Sequence, residues 1–144
     1  MRHALLALVL ALICAPYAIA QVTPVRGAGC PGSGDPVARS APALGTTFTL
    51  DLPSCGRGTA GFAVVGVASE PTVRLSGALL CVPGVVCDLV VDPLRIDVDT
   101  DLFSLVIPNL PRLIGLEFRV QAGCFDRAGG CVTLGGAVDV RIQR

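Results

Sequence analysis

Apolar and polar residues alternate in short stretches along most of this chain. In residues 116–121, Leu116, Phe118 and Val120 occupy every second position, with polar residues between them. A period of two is typical of a β-strand that buries one face and exposes the other. After residue 20 no stretch keeps the apolar spacing of a helix, and Gly and Pro separate the alternating stretches. The predicted strands cover residues 47–52, 62–68, 73–75, 79–82, 85–91, 94–99, 102–107, 116–121 and 138–143.

This succession of short strands predicts an all-β fold, namely a single antiparallel β-sandwich of about eight or nine strands. The sandwich domain is expected to span residues 44–144. The segment 21–43 is rich in Gly, Pro, Ser and Ala and shows no alternation, which predicts an irregular lead-in. The predicted core consists of Phe48, Leu50, Phe62, Val64, Leu116, Phe118, Val120, Val138, Val140 and Ile142.

Residues 1–20 have the pattern of a signal peptide. A positive start, residues 1–3, precedes an apolar run over 4–14 that is too short to span a bilayer. An A-x-A site ends at Ala20, so cleavage between Ala20 and Gln21 is expected, with no membrane span left afterwards. The alternatives are a buried N-terminal helix or a lipid anchor on Cys14. The signal predicts a secreted chain, either extracellular or periplasmic.

Composition removes most catalytic chemistry from the mature chain. His3, Tyr17 and Met1 are the sole residues of their types, and the chain has no Lys and no Trp. General bases, Schiff-base lysines and sugar-stacking aromatics are therefore missing, so we expect no enzyme, no catalytic residue and no cofactor. Glu70 and Glu117 are the only glutamates, which offers little for paired-carboxylate hydrolysis. The arginines are scattered singly and no nucleic-acid partner is expected.

Of the seven cysteines, Cys14 lies in the leader, and the six that remain predict a disulfide framework. Cys124 and Cys131 flank a turn between two strands, and a bridge between them would close a small hairpin loop. The spacings C-x5-C and C-x6-C do not match those of zinc sites, and a catalytic cysteine would need a histidine. The remaining four cysteines have three possible pairings, all left open at this point: they are Cys30, Cys55, Cys81 and Cys87.

Three stretches resemble blocks of a family of uncharacterised secreted bacterial β-sandwich domains. Residues 27–34 are similar to its GxGCxGS opening, residues 87–93 to a GC-x-L block, and residues 107–121 to its IPNxPxLxGxxFxxQ signature. The resemblance implies export and a β-sandwich. It also implies a bridge between Cys30 and Cys87, which would leave Cys55 to pair with Cys81. It implies no catalytic residue.

Asp97, Asp99 and Asp101 form the one constellation of chemical interest. A D-x-D-x-D run supplies the first oxygen ligands of a calcium loop, but the EF-hand pattern also needs Gly at its sixth position and Glu at its twelfth. Leu102 and Pro108 occupy those positions. A looser calcium site with other loops is one interpretation, and the water-facing side of a strand is the other.

The sequence thus favours a secreted structural or protein-interaction module of the bacterial envelope or extracellular surface. Contact with a protein partner or surface component would use an exposed sheet edge or a disulfide-held loop. A calcium- or glycan-binding module is the alternative from another class. A protease inhibitor that presents a rigid loop between Cys124 and Cys131 is a third.

Overall fold

The computed structural model describes residues 21–98 and 100–144, so the leader with its cleavage site lies outside the described residues, as does Asp99. The fold is all-β, as predicted, with two short 3₁₀ helices at Gly77–Leu79 and Pro111–Leu113. The strands are β1 (Val22–Val25), β2 (Val37–Ala38), β3 (Thr47–Asp51), β4 (Thr59–Leu75), β5 (Cys87–Val98), β6 (Leu102–Val106), β7 (Glu117–Asp126) and β8 (Cys131–Arg141).

The strands form two antiparallel sheets that share one core. The large sheet has the order β1-β8-β7-β4-β5 and the small sheet the order β2-β3-β6. Side chains from the facing surfaces pack together because alternate residues of each strand point inward. The small sheet contributes Phe48, Leu50 and Phe103, and the large sheet contributes Ala63, Val120, Ala122, Val138 and Val140.

The segment 21–43 contains two short strands, β1 and β2, which the prediction of an irregular lead-in missed, while its other residues form turns and loops. Strand β1 pairs with β8 through Val22 and Val140, and β2 pairs with β3 through Val37 and Asp51. Both strands are too short to show an alternating pattern. Pro24 within β1 is tolerated because β1 lies at the edge of its sheet.

Strands β4 and β5 each join two stretches that the sequence pattern separates. Their pairing shifts register between Val65 and Gly66 and again between Ala68 and Val73. A Cβ on Gly66 would lie 1.9 Å from the Asp92 carbonyl oxygen, so the strands approach each other here as only glycine permits. The predicted strand 79–82 is instead a 3₁₀ helix followed by a loop.

The distal half of the β4–β5 ribbon folds back over the outer face of the large sheet. The Val90 N–H donates to the Gln121 side chain on β7, and the Cys81 N–H donates to the Val132 carbonyl on β8. A second apolar cluster lies beneath this layer and includes Leu80 and Leu134. The outer face of β7 is therefore covered.

Gln121 is fully buried beneath that layer, whereas the alternating pattern places it in water. Its Oε1 accepts from the Val90 N–H at 3.0 Å, and its Nε2 donates to the Asp88 and Gly135 carbonyl oxygens at 2.9 and 3.2 Å. A buried amide persists only when it is paired in this way. Gln121 therefore has hydrogen-bond partners from the protein, whereas the alternating pattern predicts that its side chain contacts water.

Most of the predicted core is buried, with one error and two partial cases. Leu116 is 52% exposed, because it precedes β7 and follows the turn at Gly115. Phe62 and Phe118 are half-buried and pack against the edges of the clusters. The Phe118 ring meets Phe48 edge-to-face, with centroids 6.3 Å apart.

All six cysteines of the described chain are bridged. Cys30 is joined to Cys87, as the resemblance implies. The expected Cys124–Cys131 and Cys55–Cys81 bridges are wrong, since the structure joins Cys55 to Cys124 and Cys81 to Cys131. On the β7–β8 hairpin Cys131 lies opposite Asp126 and Cys124 opposite Thr133, so the two cysteines are diagonal. Diagonal neighbours are about 7–8 Å apart, which is beyond the ordinary reach of a disulfide.

Candidate interaction edge on strand β5

Residues 93–98 of β5 form one end of the large sheet. They pair with β4 on one side, and β5 is the last strand in the sheet order. The backbone N–H and C=O groups along the other side of this stretch face away from the sheet and can accept another strand. We call residues 93–98 the β5 edge.

Three large apolar side chains of the β5 edge are exposed to water. Leu94 is 79% exposed, Ile96 58% and Val98 69%. Ile96 lies opposite Val64 and Val98 opposite Phe62, so these two side chains belong to the outer face of the sheet, whereas Leu94 has no partner on β4 because it lies at the register shift. A set of large apolar residues on one exposed strand marks an interaction surface more often than a scattered set does.

The apolar surface continues from Val98 into a recess of about 470 Å³ between β4, β5 and β7. Phe62, Val98 and Phe125 provide its apolar walls, and Arg127 lies at its border. The Phe62 ring lies directly over Gly123, where a Cβ would be 2.2 Å from the ring. The absence of a side chain at Gly123 therefore leaves the space that the Phe62 ring occupies.

The opposite face of the β5 edge carries charge. Arg95 Nε donates to Asp97 Oδ1 at 2.7 Å, and the Arg95 side chain is 57% exposed. An exposed pair of this kind contributes little to stability. It gives the edge one apolar face and one face with a positive and a negative group two residues apart.

The calcium interpretation of Asp97, Asp99 and Asp101 stays a prediction, because only two of the three lie among the described residues. Asp97 is paired with Arg95, Asp99 lies outside the described residues, and Asp101 is exposed beside a recess that Arg127 also lines. Within residues 21–98 and 100–144, the group of three possible metal-ligating atoms that come close together belongs to Cys81, Asp126 and Cys131. The two sulfurs of that group are bonded to each other, which removes them as ligands.

The bridge between Cys124 and Cys131, with which a protease-inhibiting loop was expected, is not formed, because each cysteine bonds outside the hairpin. The tip of the β7–β8 hairpin is instead held by two bridges to other segments. In the small sheet, Arg39 donates to Asp51 at 2.6 Å, and this hydrogen bond raises the pKa of the arginine above its ordinary value.

The alternation in residues 94–98 correctly predicts a strand, but it also predicts that the apolar side of this strand is buried. Pro93 is the signal that points to the edge, since proline within a strand is confined to edge strands and bulges. The contribution of Phe125 to the recess had no local signal, because it depends on the pairing of β4 with β7.

Among the described residues no helix is long and apolar enough to cross a membrane. A scan against protein-family models finds no match for the chain, and a search of curated proteins finds no significantly similar sequence. A proposal of function therefore has to rest on the surface features of the molecule.

Proposed function

We propose that this chain is an exported, disulfide-stabilised interaction module that binds an extended protein segment along the β5 edge and catalyses no reaction. The observation that carries the proposal is the outer edge of β5, which pairs with no other strand of the described residues and exposes Leu94, Ile96 and Val98. In β-strand addition, main-chain hydrogen bonds supply affinity and alternate side chains supply selectivity. The recess beside Val98 offers a place for an apolar side chain of the added strand.

Export to the bacterial envelope or extracellular surface fits this role. Three disulfides form and persist in oxidising compartments, and the leader pattern of residues 1–20 accounts for transport to one. The bridges tie the lead-in, the folded-back ribbon and the β7–β8 hairpin to one another. A rigid scaffold of this kind holds the β5 edge in one shape before a partner arrives, which lowers the entropic cost of binding.

A photo-crosslinking residue at position 96 tests the proposal in cells that export the protein. We expect it to give discrete protein adducts, because a strand added to β5 would lie directly against Ile96. Leu79 provides a matched control, since it is 63% exposed but lies in a 3₁₀ helix away from the edge. Adducts in equal yield from both positions, or none from position 96, would contradict the proposal.

A further inference from the structure

We infer that the segment that binds the β5 edge is the β5 edge of a second copy of this chain, paired antiparallel about a twofold axis at Ile96. This inference rests on the proposed function and names its partner. Two identical edges that pair in this way form one continuous ten-stranded sheet from two five-stranded ones. The interface is closed, because each copy uses the same edge and none remains for a third.

The sequence of the β5 edge is complementary to itself in this register. Placing Ile96 opposite Ile96 of the second copy sets Leu94 opposite Val98 and Arg95 opposite Asp97, each twice. Each apolar residue is then opposite an apolar one, with Leu94 at the register shift of β5. On the charged face each positive group meets a negative one, and no like charges face each other, an arrangement that stabilises antiparallel pairs.

The exposures of the separate molecule agree with this pairing. Leu94, Ile96 and Val98 are all more than half exposed, and Ile96 lies directly opposite the buried Val64 on the outer face of the sheet. Directly opposite residues in an antiparallel pair have their Cβ atoms about 4.5–5.5 Å apart, close enough for these side chains to cover one another. Pairing thus removes from water the largest exposed apolar run on any strand of the described chain.

Pro93 limits the length of the pairing. It has no N–H to donate, so the added ladder covers residues 94–98 of each copy. An interface of five residues per copy is small, and the dimer is therefore expected to be reversible and dependent on concentration. The Arg95–Asp97 pair within each separate strand keeps the edge soluble before pairing.

The other edges of the two sheets fit a second copy less well. Strand β2 has two residues, and β1 has four with Pro24 among them. Strand β6 is the closest competitor, with Val106 71% exposed. Its five residues carry no charge to set a register, and its symmetric centre would be Ser104. Among the sheet edges of residues 21–98 and 100–144, the β5 edge alone combines length, exposed apolar residues and charge complementarity.

Charge reversal combined with mixing tests the inference on the purified, oxidised protein by sedimentation velocity. In Arg95→Asp two carboxylates would face each other at both symmetric contacts, and in Asp97→Arg two guanidinium groups would. We expect each variant alone to dimerise about tenfold or more weakly than the unaltered protein. An equimolar mixture should dimerise again, because opposite charges then meet across the interface.

The mixture separates contact between copies from contact within a strand. Each single variant loses its internal Arg95–Asp97 pair, and mixing cannot restore that pair inside either chain. Recovery of the dimer in the mixture therefore supports the proposed register, whereas failure of the mixture to recover would overturn it. Val106→Lys is the control and should leave dimerisation unchanged. Loss of the dimer in that variant would move the interface to β6 and overturn the inference.

The crosslinking experiment at position 96 keeps the two proposals distinct. Adducts of twice the chain mass support a second copy as the partner. Adducts with a different protein, together with a monomer at every concentration at which the protein is soluble, would overturn the inference while leaving the proposed function in place. Absence of any adduct would overturn both.

Discussion

At the scale of single residues, Gln121 shows where a two-residue period fails. Its position predicts a water-facing side chain, and its immediate neighbours do follow the pattern, with Val120 and Ala122 in the main core. A polar residue on the face of β7 that points away from the main core can contact either water or another layer of the protein. Because the cover comes from Asp88 and Val90, about thirty residues away, no local pattern could reveal it.

Gln121→Leu should destabilise the fold by about 2–4 kcal/mol. The substitution nearly conserves volume but leaves the buried Val90 N–H without an acceptor and removes two further hydrogen bonds, and buried unpaired groups cost about 1–3 kcal/mol each. Urea denaturation followed by far-UV circular dichroism gives the difference. Gln143→Leu is the control, because Gln143 is only partly buried and bonds the side chain of Gln21. Equal losses from both variants would mean that the layer over Gln121 is absent.

Phe118→Ala should lower the free energy of unfolding by about 2–3 kcal/mol. This is less than the 3–5 kcal/mol typical of a fully buried phenylalanine, because Phe118 is half-buried at the edge of the core. The neighbouring Glu117→Ala should change stability by less than about 0.5 kcal/mol, since Glu117 is exposed and 3.7 Å from Arg141. The same denaturation experiment measures both, and similar losses would show that the register of β7 is wrong.

At the scale of elements, the sequence predicts β3 nearly to its bounds, because apolar alternation runs through all of it. It finds only the alternating part of β7 and of β8, since the predicted strands 116–121 and 138–143 cover about half or less of each. It misses β1 and β2 because two to four residues hold too little pattern. It divides β4 and β5 because the ribbon bends and the side-chain period shifts at Gly66 and after Ala68. The β5 edge is exposed because β5 is the last strand in the sheet order, which no local pattern shows.

Gly66→Ala should destabilise the protein by roughly 2 kcal/mol or more, because the added methyl group would meet the backbone carbonyl of Asp92, which cannot move without separating β4 from β5. Hydrogen exchange should show the loss of protection first in residues 93–98. Gly56→Ala is the matched control, since nothing lies within 4 Å of the new Cβ. A Gly66 variant as stable as the Gly56 variant would rule out the close approach of the two strands.

At the scale of the whole molecule, the expected export signal makes a direct prediction about covalent structure. The exported protein should lack residues 1–20 and begin at Gln21, because the A-x-A site ends at Ala20. Intact-mass measurement of the exported protein checks this. A mass that retains the leader, or one that includes a lipid on Cys14, would replace cleavage by one of the alternatives.

The three disulfides should decide whether the chain stays folded. They join residues 57, 69 and 50 positions apart in sequence, and the chain-entropy model assigns about 4 kcal/mol to a loop of that length. Since a domain of this size is stable by about 5–15 kcal/mol in total, reduction of all three should leave it largely unfolded. Far-UV circular dichroism is the appropriate probe, because residues 21–144 contain neither Trp nor Tyr.

Peptide mapping under non-reducing conditions should find Cys30–Cys87, Cys55–Cys124 and Cys81–Cys131. The register of β7 and β8 sets Cys124 and Cys131 diagonally across the hairpin, so each must bond outside it. Cys55 reaches Cys124 from the loop before β4, and Cys81 reaches Cys131 from the loop before β5. A peptide that links Cys124 to Cys131 would contradict this hairpin register. With that pairing, the loops that carry Cys55 and Cys81 would no longer be bonded to β7 and β8. The distal half of the β4–β5 ribbon would then lose its covalent attachment to β8.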